Sequence, residues 1–175
     1  MFRPVLRLAA VAFAGASCEA PPAPIGCDQG PVGLDARVDS EGPSLREATE
    51  AHVGIPPQGG APYTAFGIVV DGALGDDTLL EVTGDVRDAD GTVLGTVEQN
   101  TSVLCANAGP WSGRWYGGEA HIRYWGLALS TLDSKPVEVQ LSVGRGGVAI
   151  ASVEGALTLV SNGGGDTFLV GEVRE

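Results

Sequence analysis

The chain has 175 residues, with 22 acidic side chains against 10 basic ones and 27 glycines. That length suits one domain with a sizeable core. A hydrophobic content of 43% with 18% charged residues excludes a disordered chain. The net charge of −12 excludes a nucleic-acid binder, which needs a basic face.

The chain opens on Arg3 and Arg7 with no acid, followed by an apolar run from Leu8 to Ala16. A basic start before a short apolar core predicts a secretory signal over residues 1–17. The run is too short for a bilayer span, which needs about 20 apolar residues, and no later stretch approaches that length. Small residues Gly15, Ala16 and Ser17 lead into Cys18, and a proline-rich stretch (EAPPAPIG) follows. These residues resemble the signal of a bacterial lipoprotein, in which the cysteine carries lipid and becomes the mature N-terminus. The resemblance implies a membrane anchor at Cys18 and a tether over 18–27, with Glu19 pointing to the outer membrane. Gly15 stands where such signals favour Leu. Ala14-Gly15-Ala16 also suits the ordinary signal peptidase, which would leave Ser17 first and a secreted or periplasmic protein.

Lipid on Cys18 leaves an even count of cysteines, so that Cys27 can pair with Cys105 in an oxidising compartment. Loss of residues 1–17 removes two arginines, leaving 8 basic against 22 acidic side chains, a charge of −14.

From residue 28 to 175 the chain reads as one antiparallel β-sandwich of about eight strands. Val32, Leu34, Ala36 and Val38 alternate with polar or small residues, one face in and one out. Ser44-Leu45-Arg46-Glu47 has capping-box spacing, with Leu45, Ala48 and Ala51 at helical intervals, which predicts a short helix or an irregular loop near 45–53. Phe66, Ile68 and Val70 repeat the strand pattern, as do Leu80, Val82 and Val86. Asp88-Ala89-Asp90-Gly91 is a hairpin turn into a strand over Thr92–Gln99. Glu119–Ser130 is a further strand, with Trp125 inside it and capping the core. Val137–Val143 alternates most cleanly, and Gly144–Gly147 turns it into Val148–Val160, whose inward parity switches as though at a bulge near Ala151–Ser152. Ser161–Asp166 and Thr167–Arg174 complete a meander of turn and last strand.

Chemistry-bearing residues are sparse. Glu119 and His121 share a strand face that His52 could join, the minimum for a zinc site. Asp71, Asp76 and Asp77 crowd one loop and Asp85, Asp88 and Asp90 a neighbouring turn, hard oxygen ligands of the kind calcium takes, but turn preference alone explains Asp88 and Asp90, and the sequence calls for no cofactor. Ser112, in Gly-Pro-Trp-Ser-Gly, stands one place late for a hydrolase elbow. No catalytic motif emerges. Residues 111–125 hold all three tryptophans and two of three tyrosines, with Arg114 and Arg123 interleaved. Aromatic faces beside polar donors suit sugars or peptides, so Trp111, Trp115 and Tyr116 are the candidate ligand-binding residues. The sequence thus predicts an anchored, non-catalytic module for a carbohydrate, peptide or envelope partner. A small hydrolase using Ser112 with His121, or a purely structural envelope protein, are the alternatives.

Overall fold

The computed structural model describes residues 26–27 and 29–161. The described chain is almost entirely β-structure. Its strands are β1 (Gly33–Val38), β2 (Glu50–Val53), β3 (Tyr63–Asp71), β4 (Leu79–Asp88), β5 (Val93–Ser102), β6 (Leu104–Cys105), β7 (Trp115–Arg123), β8 (Lys135–Arg145) and β9 (Val148–Ser161). They form one nine-stranded sheet in the order β1-β3-β7-β5-β4-β8-β9-β2, with β6 on β7. β5 and β7 share a single paired position, Thr96 with Arg123, and there the sheet turns over into two layers. The first layer is β1-β3-β7-β6 and the second β5-β4-β8-β9-β2. Gly54 and Tyr63 bridge the opposite corner. The result is a β-sandwich that closes towards a barrel.

The period-two pattern is the cause. Leu34, Ala36 and Val38 of β1, Phe66, Ile68 and Val70 of β3, and Leu80, Val82 and Val86 of β4 all face inward and are buried. Val137, Val139, Leu141 and Val143 meet them from β8, and Val153, Leu157 and Leu159 from β9. Removing such side chains from water is worth roughly 1.5–3 kcal/mol each. The turns follow their glycines. Gly91 (φ 78°) ends the β4–β5 hairpin, and Gly146 and Gly147 (φ 55° and 77°) form the two-residue loop between β8 and β9. The parity switch in β9 is a bulge: Val143 pairs with Ala151 and Gly144 with Ala149, so Ile150 is the extra residue. It lies one place before the expected position.

Three expectations are corrected. Residues 45–53 hold no helix. Ser44 opens one turn, through the Glu47 and Ala48 amides bonding to its carbonyl, and the chain then enters β2. The Ser44 hydroxyl, which a capping box would turn onto its own helix, donates instead to Asp35 at 2.6 Å. The turn also seats Leu45 over Gly155, where an added Cβ would collide with the Leu45 carbonyl oxygen. Tertiary packing therefore overrides a local signal that is marginal over so few residues. Second, β2 pairs parallel to β9, so the sheet is not wholly antiparallel. Third, the strand expected over Glu119–Ser130 stops at Arg123, and a single helical turn, α1 (Leu129–Leu132), follows instead. The turn Ser161–Asp166 beyond its first residue, and Thr167–Arg174, lie outside the described residues.

Cys27 and Cys105 form a disulfide with Cα atoms 5.8 Å apart. Cys105 pairs with Trp115 at the upper end of the sandwich, where β1, β4, β7 and β9 begin. No helix among the described residues is long and apolar enough to cross a membrane.

Candidate functional site

The outer face of β1, β3 and β7 collects the residues that the sequence singles out, for a register reason. In β3 the residues Tyr63, Ala65, Gly67, Val69 and Asp71 point outward, and β7 follows the same rows through a bulge opposite Gly67–Val69. The bulge falls at Gly117 and Gly118, the latter at φ 68°. It sends Trp115 inward, then returns Tyr116, Glu119 and His121 to the outside.

The three candidate aromatics therefore part company. Trp115 is 8% exposed, and its indole N–H donates to the Gly72 carbonyl at 2.9 Å. It is a core residue and no part of a ligand surface. Trp111 and Tyr116 stay together outside, nearly parallel, at 16° with ring centroids 5.7 Å apart. Val69, paired with Tyr116 and fully buried despite its outward parity, lies beneath them. The Arg37 guanidinium sits 4.6 Å from the Trp111 ring centroid, a cation–π contact. Trp125 corrects another expectation. It lies beyond the strand end and is 66% exposed, near Arg123, while Tyr124 takes the buried position expected for it.

Arg37 connects the aromatic pair to an ion network. It bonds Asp35 at 2.8 Å. Arg114 grips Asp71 with two bonds, Nε at 2.6 Å and Nη2 at 2.8 Å, and reaches Asp35 at 3.4 Å. Ser44 completes the ring on Asp35. Burial alone would lower the Arg114 pKa, but the hydrogen bonds and charges of Asp71 and Asp35 outweigh it and raise the value. The paired geometry makes Arg114 a clamp between β1 and β3. Beside this network opens a cleft of about 510 Å³. It lies between β1 and Ala151–Ser152 of β9, with Arg46 and Glu47 of the 44–47 turn at its rim. An aromatic pair, fixed donors and a cleft can orient a polar ligand that has one apolar face. The alternation of β1 signals this arrangement only in part. Asp35 and Arg37 read from sequence as outward residues, but nothing in it places them beside Trp111.

Lower on the same face, Glu119 and His121 bond at 2.8 Å, and the Tyr63 ring lies 5.0 Å from that of His121. A hydrogen bond from Ser40, then one from His121, holds the Glu119 carboxyl below the ordinary value against a desolvation cost. His52 bonds Asp39 at 2.5 Å instead of joining them. Asp39 and Ser40 have φ of 52° and 72°, and the Ser40 carbonyl oxygen lies where a side chain on Gly67 would go. Among the described residues no group of three or more His, Cys, Asp or Glu side chains is arranged to hold a metal. Four of the six aspartates of the calcium reading have other partners. Asp71 holds Arg114, Asp77 accepts the Leu79 amide, Asp85 pairs with Arg87 at 2.8 Å, and Asp88 accepts the amides of Asp90 and Thr92. Ser112 and His121 are also apart. Ser112 lies in the upper loop before β7, whereas Trp115 and His121 pair with Val70 and Ala65, five strand steps or roughly 16 Å apart.

No protein-family model and no curated protein matches the chain. Among solved structures it is similar to a β-glucuronidase from glycoside hydrolase family 2, at 12% identity and TM-score 0.42, over 75% of this chain and 13% of that one. It is also similar to a putative β-galactosidase from Bacteroides fragilis, at 14% identity and TM-score 0.36, over 56% of this chain and 14% of that one. Likeness at this level says nothing about activity.

Proposed function

We propose that the chain is an exported lipoprotein, lipidated at Cys18 and tied to the outer membrane. Its β-sandwich is a non-catalytic module that binds a carbohydrate on the Trp111–Tyr116 face. The observation that supports the ligand reading is the aromatic pair itself: two parallel rings, steadied by Arg37, at the border of a cleft whose donors and acceptors are already fixed. Sugars present an apolar face to stacked rings and hydroxyls to arginine and carboxylate, and a site held in advance avoids ordering costs on binding.

The test is tryptophan fluorescence of the mature protein titrated with a panel of envelope and plant oligosaccharides. Trp115 is buried and Trp125 far from the cleft, so Trp125→Phe leaves Trp111 as the responsive indole. A saturable shift that Trp111→Ala abolishes supports the reading, and a flat response across the panel refutes it. The anchor is tested separately by intact mass from the native host. A chain beginning at acylated Cys18 supports it, and one beginning at Ser17 without lipid removes it.

A further inference from the structure

The upper end of the sandwich carries an apolar patch. Leu104 on β6 is 73% exposed, Val148 at the head of β9 66%, and Leu79 at the head of β4 54%. Strand pairing groups them. Leu79 pairs with Ser102, and Leu104 follows Ser102 by two residues on the same outward parity, while Leu80 and Val103 turn into the core. The Arg145 guanidinium donates to the Asp77 carbonyl and the Gly147 amide to the Glu81 carboxylate. The β8–β9 loop is thereby tied to β4 on either side of Leu79, and it leads directly into Val148. The same end holds the disulfide, since Cys27 is fixed to Cys105, the residue after Leu104.

Resting on the lipid anchor proposed above, we infer that this end docks on the bilayer that holds Cys18, with Leu79, Leu104 and Val148 seated in its interface. The tether selects the end. Nine steps of chain run from Cys18 to Cys27, a reach of about 30 Å at full extension. Ile55, Val93 and Trp125 are also exposed, but at the lower end, and the eleven residues of β8 between the two ends span roughly 35 Å. The lower end is therefore beyond the tether, and the upper end is held against the surface. So short a link gives an effective concentration in the millimolar range, at which three apolar side chains suffice for docking. Asp76 is exposed at this end and Asp77 is paired with Arg145 at 3.6 Å, so the lipid surface that fits is zwitterionic, not anionic. Docking also sets the ligand face beside the membrane, because Leu104 is the partner of Tyr116.

The test uses the acylated mature protein on phosphatidylcholine vesicles, with and without bromine on the acyl chains, after flotation. In a background of Trp111→Phe and Trp125→Phe, Leu104→Trp reports on the upper end and Val93→Trp on the lower one. A docked apolar surface sinks about 5–10 Å, so brominated lipid quenches the added Leu104→Trp emission about twofold and leaves that of Val93→Trp unchanged. Leu79→Ser with Val148→Ser abolishes the quenching. All four of these positions are exposed, so the substitutions keep the parent's thermal midpoint. Protein that floats while Leu104→Trp stays bright overturns the docking and leaves the anchor standing. Equal quenching of the two reporters overturns it as well. Quenching that survives Leu79→Ser with Val148→Ser assigns the contact to the tether alone and also overturns it. Protein that does not float removes the anchor, and the docking with it.

Discussion

Tyr124 offers the sharpest test of how this sandwich is held together. Its ring is fully buried and its hydroxyl meets that of Thr64, also fully buried, at 3.0 Å. Burial raises the phenol from its ordinary 10.0 to about 12, against the opposing effect of the Thr64 hydrogen bond. Tyr124→Phe leaves the Thr64 hydroxyl without its partner in the core, a cost of about 1–3 kcal/mol. Replacing both partners, with Thr64→Val added, removes the orphan and restores most of that loss, because an apolar pair of the same shape needs no hydrogen bond. Urea unfolding of the four proteins at pH 7 measures the cycle. Additive losses would show that the two hydroxyls do not depend on each other and would refute the account. The alkaline side gives a second reading. A phenol raised in the fold contributes stability that is complete below its unfolded value of 10 and is lost as pH rises towards the folded value near 12. At about 1.4 kcal/mol per pKa unit, the parent loses roughly 3 kcal/mol relative to Tyr124→Phe across that window. Phenolate absorbance of the folded protein supplies the check: one late tyrosine, with its midpoint near pH 12, must vanish in the variant.

Three other perturbations follow from particular contacts. Replacing both Cys27 and Cys105 by Ser opens a loop spanning 78 positions and lowers unfolding free energy by about 4 kcal/mol in the chain-entropy model, read from the urea midpoint. Gly67→Ala forces a side chain into the Ser40 carbonyl and costs about 2 kcal/mol or more, whereas Gly54→Ala, facing open space, changes the thermal midpoint little. Glu119 is held below 4.5 in the fold, so its contribution is present above that value and is lost as pH falls through the folded one. Glu119→Gln is therefore less stable than the parent at neutral pH, with the difference closing in acid as seen by denaturation at stepped pH.

Much of the architecture can be read from period-two alternation, because one-sided burial of a strand leaves a pattern that nothing else in the chain imitates. Val137–Val143 is the clearest case, inward at every second residue in both sequence and structure. The 44–53 segment shows where that legibility stops. Its capping-box spacing is real, yet Asp35 lies nine residues upstream and on another strand, and captures the Ser44 hydroxyl. The four-residue capping motif does not reach back to Asp35. The parallel pairing of β2 with β9 is equally invisible, since a four-residue strand chooses its partner by the distant edge left free for it.

The candidate site is harder to read, for a reason that lies in two glycines. Extending the alternation of Ala120 and Ile122 backwards through β7 puts Tyr116 inside with them and Trp115 outside. The bulge at Gly117–Gly118 inverts that assignment, and Tyr116 rather than Trp115 joins Trp111 on the surface. Adjacent glycines inside a strand are themselves a bulge signal, so the inversion is detectable once they are weighed before the aromatics. Tyr124 and Trp125 obey the same logic at the other end of β7. Inward parity carries through to Tyr124, and the strand ends before Trp125, which leaves the larger ring in water and the smaller one in the core. Composition placed the unusual residues in this segment, but parity decides which of them a ligand can touch. Arg46 lies outside that segment altogether, and only the closing of β1 towards β9 brings it to the same cleft.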